Sequence, residues 1–431
     1  MAVFALLLVT FIFFLFFANR GLSVHDEGYI LDAAHRFFQG QVPYRDFWII
    51  YPPGIVYLLG SLFWLFGPNI LLGRFLMVLV GLAISYLLYK VSRSLTPSLL
   101  FLAWGIPHLN FPWPAWFSLL FMLASLASVK SPRLSGLFAG VGLLFKQTLG
   151  IAIVIAALIS TSNRFKLIQG LILPILATVL VLASQGALDE FVHITLIRTL
   201  EYQAQGLMRT DWPEFNLINL PKAFFYYFPF ILLGFYAFKL LRHQLSRHQI
   251  IVFIYVSLFF LAGYRPTTDI LHVALIYPAL FPLIKPKWIL LIIPLFILGL
   301  AKLYLKPYAG FEAAYPQQIY KAGSLLVDDR ALHLFQVTQY INRRLKPGEP
   351  IFVYFYAPMI YFISGHSNAT RFPMAQTGVL NQVETQELIQ DLNTVNLVVL
   401  QSRADTVVYD TLMTEFAFDR QFGDYQVRVR L

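Results

Sequence analysis

Apolar residues dominate the chain from Ala2 to about Leu305 in long runs broken by short polar stretches. An upright membrane helix needs about 20 mainly apolar residues, fewer where the bilayer thins or the helix is partly shielded. On that pattern, membrane spans are expected near 2–18, 70–89, 98–112, 114–129, 134–147, 149–163, 167–185, 223–241, 250–264, 270–284 and 288–305. One further apolar run, Ile55 to Phe66, is left out. It has twelve residues and follows Tyr51-Pro52-Pro53-Gly54, and proline fits the start of a helix better than its interior. It is expected as a helix at the membrane interface.

Beyond about Lys306 the pattern changes. Leu332 to Leu345 has helical periodicity and stops at Lys346-Pro347-Gly348. Pro350 to Phe355 and Asn396 to Leu400 read as buried strands, Val383 to Leu392 and Thr406 to Glu415 as helices. Tyr425 to Leu431 alternates like a half-buried strand. The expected fold is therefore an all-α polytopic membrane bundle of about eleven transmembrane helices. Juxtamembrane helices lie in its first outside loop, and a small C-terminal α/β domain follows. The boundary is placed between 305 and 306, with the first loop spanning 19–69.

Composition agrees with this division. The 431 residues are 58% hydrophobic and 13% charged, against about 25% charged in a soluble domain, and the mean hydropathy is +0.66. The net charge of +10 would point to nucleic acid in a soluble protein. Here the excess sits in short loops between apolar runs, where it sets orientation, and no nucleic-acid partner is expected. With the N-terminus cytoplasmic, the inside loops hold Lys90, Arg93, Lys130, Arg133, Arg164, Lys166, Lys239, Arg242, Arg247, Lys285 and Lys287, and no acidic residue. The outside loops are mixed. Counting 55–66 as a span would break this pattern. An odd number of spans puts the C-terminal domain on the extracytoplasmic side of a plasma (inner) membrane. The apolar N-terminus has no basic flank ahead of it and reads as an uncleaved first span. With no cysteine, disulfides, thiolate nucleophiles and Cys-ligated metals are excluded.

Candidate chemistry gathers in the first outside loop. His25-Asp26-Glu27-Gly28 puts two adjacent carboxylates just beyond the first span. Neighbours on a helix diverge in direction, so the two take different roles: one a general base toward an incoming hydroxyl, the other orienting substrate or holding a cation. Asp46, next to Arg45, is a weaker second carboxylate, and Trp48 and Tyr51 also read as interface anchors. Lys146, in Gly142-Leu-Leu-Phe-Lys-Gln-Thr-Leu-Gly150, has apolar residues on both sides. A cation in such surroundings is costly and marks function by default, unless it snorkels to the surface. Arg74 opens the second span. Arg265 and His272 lie in the turn between spans nine and ten and suit an anionic group, or a pair with Asp269. The histidines show no metal-ligand spacing, and neither a phosphate loop nor a nucleophile elbow is present.

The order of these motifs resembles the C-type polyprenyl-linked membrane glycosyltransferases. Within them it is similar to the branch holding protein O-mannosyltransferases, lipid A aminoarabinose transferases and rhizobial lipopolysaccharide glycosyltransferases. The resemblance rests on Asp26-Glu27 after span one, on Tyr51-Pro52-Pro53-Gly54 heading a juxtamembrane helix, on Gly67-Pro-Asn-Ile-Leu-Leu-Gly-Arg74 and on Gly-Leu-Leu-Phe-Lys146. It covers residues 1 to about 305. It implies a sugar donor on a polyprenyl phosphate, no nucleotide cofactor, and transfer on the outer face to a hydroxyl of a lipid, glycan or protein. Asp26 is then the base, with Glu27 beside it. Lys146, Arg265 and Arg74 would meet the donor phosphate, and Tyr51, Asp46 and His272 would position substrate. A divalent cation stays open, with no metal ligand assigned. The alternatives are a transporter or flippase for lipid-linked sugars and an O-antigen-type ligase or polymerase. The first would be expected to show related halves or a polar midplane, and the second a large late outside loop. Neither pattern is evident in the sequence.

Overall fold

The computed structural model describes residues 1–105, 110–204, 220–264, 270–286, 312–313, 325–327, 329–375, 379–401 and 406–431. Its bundle runs α1 (Ala2–Phe17), α2 (Asp26–Phe38), α3 (Gly54–Phe66), α4 (Ile70–Ser92), α5 (Thr96–Gly105), α6 (Pro114–Ala127), α7 (Pro132–Leu143), α8 (Gln147–Ser160) and α9 (Arg164–Ser184). Then come α10 (Leu188–Val192), a π-helical turn His193–Arg198, α11 (Thr199–Ala204), α12 (Leu220–Leu241), α13 (Arg247–Tyr264) and α14 (Ile270–Ile276), which tightens into a 3₁₀ segment Tyr277–Leu283. Each expected span has a helix except 288–305, which lies outside the described residues, as does the expected 305/306 boundary.

Among the described residues three helices, α4, α9 and α13, are long and apolar enough to cross a membrane; α1, α3, α6 and α8 are apolar but shorter. The expected span 134–147 ends early, at Leu143, because Lys146 adopts an extended backbone and the chain restarts as α8. Local signals explain the firm starts. The Asn69 side chain accepts from Leu71 N and caps α4, leaving one fewer orphan N–H at that end. Pro114 and Pro132 stand in the first turns of α6 and α7, where a missing N–H costs nothing.

Packing between the apolar helices relies on small residues, which let backbones approach where no hydrophobic difference from lipid drives contact. A Cβ on Gly136 of α7 would lie 2.0 Å from Leu167 O of α9, and one on Gly170 would lie 1.9 Å from Arg133 O. Buried hydroxyls also cross-link: Ser125 Oγ lies 3.0 Å from Tyr255 Oη, which is 3.2 Å from Ser135 Oγ. Two polar contacts also join helix ends. Arg133 Nε donates to Gln169 Oε1, and His248 Nε2 lies 3.0 Å from Val91 O.

The C-terminal part is α/β. Two short antiparallel strands, β1 (Glu312–Ala313) and β2 (Leu326–Val327), precede a four-stranded sheet of β3 (Phe352–Tyr354), β4 (Leu397–Leu400), β5 (Phe416–Phe422) and β6 (Tyr425–Arg430), in the order β3-β4-β6-β5. β3 and β4 are parallel; the other neighbours are antiparallel. Its helices are α15 (Asp329–Arg344), α16 (Met359–Ser364), α17 (Gln382–Asp391) and α18 (Val407–Glu415). The alternating stretch at the end of the chain is β6, and it pairs with a strand the sequence pattern misses, β5. Arg428 of β6 is buried and donates to Phe416 O, so one charged position of the alternation faces in.

This part is tied to the first loop by backbone hydrogen bonds. Gly21 N donates to Leu326 O and Leu326 N to Asn19 O, both at 2.8 Å; Met359 N donates to Val24 O at 3.3 Å, and Trp48 N to Arg371 O at 2.9 Å. Arg198, after α10, adds an ion pair of 2.5 Å with Glu384 of α17. Buried backbone groups need partners, and here the loop and the C-terminal part supply them to each other.

Candidate active site

The two adjacent carboxylates diverge, as helical geometry requires. Both stand in the first turn of α2. Glu27 points inward and is fully buried. Its oxygens take Arg74 Nε at 2.5 Å and Arg74 Nη2 at 2.6 Å, and Oε2 also accepts from Ser23 N. Arg74, likewise 0% exposed along its side chain, donates further to Arg20 O and Gly21 O at 3.1 Å. The pair is a bidentate, charge-assisted clamp that fastens the first turn of α2 to the end of α1 and the head of α4. Burial pushes the Glu27 carboxyl up, and the facing guanidinium pulls it back. The donors of Arg74 are thus directed to Glu27 and to loop carbonyls.

Asp26 turns the other way and is half-buried. Its Oδ1 accepts from the Tyr356 hydroxyl at 3.3 Å. It stands at the N-terminal end of α2. Aromatic rings line this side. Tyr29 lies 6.1 Å from Tyr51 and 6.2 Å from Tyr356, and His25 stacks on Tyr356 at 5.4 Å. Burial, with Asp26 nearby, raises the hydroxyls of Tyr51 and Tyr356 well above the ordinary tyrosine range, so both stay neutral donors.

Tyr51 is held by its backbone: Tyr44 Oη donates to Tyr51 O at 2.7 Å, and Ile50 N donates to Tyr29 Oη at 2.9 Å. The segment carrying Lys146 is fastened to the same stretch. Gly54 N donates to Leu144 O at 2.8 Å, and a Cβ on Gly54 would lie 2.5 Å from that oxygen, so glycine after Pro52-Pro53 is a steric requirement. Gln147 Nε2 donates to Ile50 O and Thr195 O, each at 3.1 Å. The break between α7 and α8 therefore brings the Lys146 backbone to the Ile50–Gly54 turn.

Asp46 is engaged within its own loop. Its oxygens take Arg45 Nε at 2.8 Å, Arg45 Nη2 at 2.9 Å and Val42 N at 2.7 Å, and those bonds hold its carboxyl below the usual range. It closes its own turn. Arg265 lies outside the described residues, and of His272 only its place in α14 is described. Among the described residues no group of three or more His, Asp or Glu comes together, so the geometry assigns no cation site.

Sequence reasoning misses Tyr356, Gln401 and the short helix α16. Tyr356 follows β3 and Gln401 follows β4, so both stand at the carboxyl ends of parallel strands, where α/β sheets place ligand-facing groups. Gln401 Nε2 lies 2.9 Å from His25 Nε2. Nothing local marks these positions, because their partners are more than 300 residues away in the chain.

The chain, a mostly helical bundle with a small α/β part tied to its first loop, shares its fold with GT-C membrane glycosyltransferases. In fold the chain is similar to ArnT, the lipid A aminoarabinose transferase, from Cupriavidus metallidurans. The structure of ArnT bound to undecaprenyl phosphate matches with a TM-score of 0.53 at 13% identity, over 100% of this chain and 97% of that one. The apo state matches with 0.52 at 16% identity, over the same shares. No family model matches the chain, and none of the curated proteins does.

Proposed function

We propose that this chain is a membrane glycosyltransferase that moves a sugar from a polyprenyl-phosphate donor to an acceptor hydroxyl on the outer face of the membrane. The observation that carries the reading is Asp26: a half-buried carboxylate at a helix N-terminus, ringed by Tyr29, Tyr51 and Tyr356. The fold shared with ArnT, whose structure holds undecaprenyl phosphate, supports the donor class.

In this reading Asp26 takes the proton of the acceptor hydroxyl, and the freed oxygen attacks the anomeric carbon from the face opposite the phosphate. The bond from that carbon to the phosphate oxygen breaks with inversion, and polyprenyl phosphate leaves with the electron pair. Base assistance of this kind is worth about 10²–10⁴ in rate. Lys146, at the head of α8, stabilises the leaving charge, and Arg265 is its partner on sequence grounds. Glu27 and Arg74 act beneath the site, holding α2 in place. Eleven crossings, a cytoplasmic N-terminus and an extracytoplasmic C-terminal domain complete the proposal, which the inside-basic pattern supports.

The test is transfer from a labelled donor. Protein purified into liposomes is given polyprenyl phosphates carrying different radiolabelled sugars, together with a membrane extract as acceptor. The reading expects label in a new product and free polyprenyl phosphate in equal amount. Movement of intact donor across the bilayer without cleavage would place the chain among flippases instead.

A further inference from the structure

We infer that the C-terminal α/β part is a working piece of the active site, with Tyr356 acting as a positioning residue for Asp26. The inference rests on the reading of Asp26 as the base, and extends it to a part of the chain to which the sequence assigns no role.

Three observations meet at Tyr356. Its hydroxyl donates to Asp26 Oδ1 at 3.3 Å. Its ring is fixed on one side by His25, stacked at 5.4 Å with 24° between planes, and on another by Tyr29. His25 is in turn met by Gln401, itself anchored by Gln401 N donating to Tyr354 O at 2.8 Å. The ends of β3 and β4 are thus linked to the turn that carries Asp26. Behind them the backbones close without space for a side chain: a Cβ on Gly28 would lie 2.3 Å from Met359 N, three residues past Tyr356. The segment after β3 thus reaches the carboxylate, and the one after β4 reaches the histidine beside it.

A donor on Oδ1 does two things. It fixes the rotation of the carboxylate, and it favours the ionised form, since hydrogen bonding to the charged state lowers a carboxyl pKa. Titratable groups around Asp26 include His25 and Glu27 beside it, Tyr29 on its own helix, Tyr51 from the loop and Tyr356 from the cap; Arg74 answers Glu27.

Tyr356→Phe removes the donor and keeps the ring. In the full-length protein, the labelled-donor assay should show kcat reduced roughly ten- to a hundredfold with KM for the donor little changed. The acid limb of the pH–rate profile should move up, because Asp26 then binds its proton more tightly. A purely structural tyrosine would lower activity, or the amount of folded protein, without moving that limb. Gln401→Ala, one step further from Asp26, should give a smaller kcat loss in the same direction. An unmoved acid limb and unchanged kcat in Tyr356→Phe, with Asp26→Asn inactive, would overturn the inference and leave the proposed base standing. Full activity in Asp26→Asn would overturn the base itself.

Discussion

Replacing Glu27 by glutamine, and separately Arg74 by methionine, should destabilise the protein in two different ways. Both side chains are 0% exposed, and they meet through two bonds of 2.5 and 2.6 Å. The glutamine would have nearly the shape of the native side chain but no charge. Arginine does not deprotonate in proteins, so the guanidinium would stay charged and buried with only Arg20 O and Gly21 O to answer it. Breaking a buried pair in this way costs about 3–5 kcal/mol. Arg74→Met leaves the opposite partner, and a carboxylate has an escape: burial already pushes the Glu27 carboxyl up, and with the guanidinium gone it takes up a proton. A carboxyl with a raised pKa in the folded state adds stability at low pH that is lost as pH rises through that value. The cost of Arg74→Met should therefore be larger at about pH 8 than at about pH 5, while that of Glu27→Gln should not grow. Replacing both by apolar residues should recover much of the loss, because a buried pair exchanged for well-packed apolar groups is often neutral. The assay is unfolding in mixed micelles with increasing SDS, followed by tryptophan fluorescence at the two pH values. Single variants costing under about 1 kcal/mol, the size of an exposed pair, would refute the reasoning, as would equal pH responses.

Gly28→Ala should loosen the cap, since its Cβ would lie 2.3 Å from Met359 N. Overpacking of this kind costs about 1–3 kcal/mol, and limited proteolysis should cut the C-terminal part faster than in the wild type. Gln147→Ala removes the donors to Ile50 O and Thr195 O, so the Lys146 segment should drift from the Ile50–Gly54 turn; transfer should fall by up to about a hundredfold, the effect of a misplaced group near a reacting centre, with folded yield unchanged. Asp46→Asn should leave transfer near wild type, because Asp46 is committed to Arg45 and Val42 N. Since its carboxyl is held low, its stabilising effect is present above the ordinary carboxylate range and lost as pH falls through the depressed value; acid unfolding of wild type and variant should converge there.

Much of the scaffold is legible in the sequence because its signals are local. The run 55–66 after Pro-Pro-Gly is α3 within a residue, Asn69 and Arg74 mark the head of α4, and the strands at 350–355 and 396–400 are β3 and β4. The early end of α7 is less legible: hydropathy runs through Phe145, and only the cost of placing Lys146 in apolar surroundings gives a reason to stop. β5 escapes because Phe416–Phe422 mixes charges into its alternation and pairs as an edge strand. At the site, the divergence of Asp26 and Glu27 follows from helix geometry. That Arg74 answers Glu27, 47 residues apart, and that Tyr356 reaches Asp26 from 330 residues away, are consequences of tertiary packing that no local pattern carries.

The central claim is that Asp26 removes the acceptor's proton during sugar transfer from a polyprenyl phosphate. The most direct measurement is the single-turnover transfer rate of Asp26→Asn in purified, folded protein with a labelled donor. The account predicts a rate lower by about 10²–10⁴, with donor binding retained. A rate near that of the wild type would contradict it.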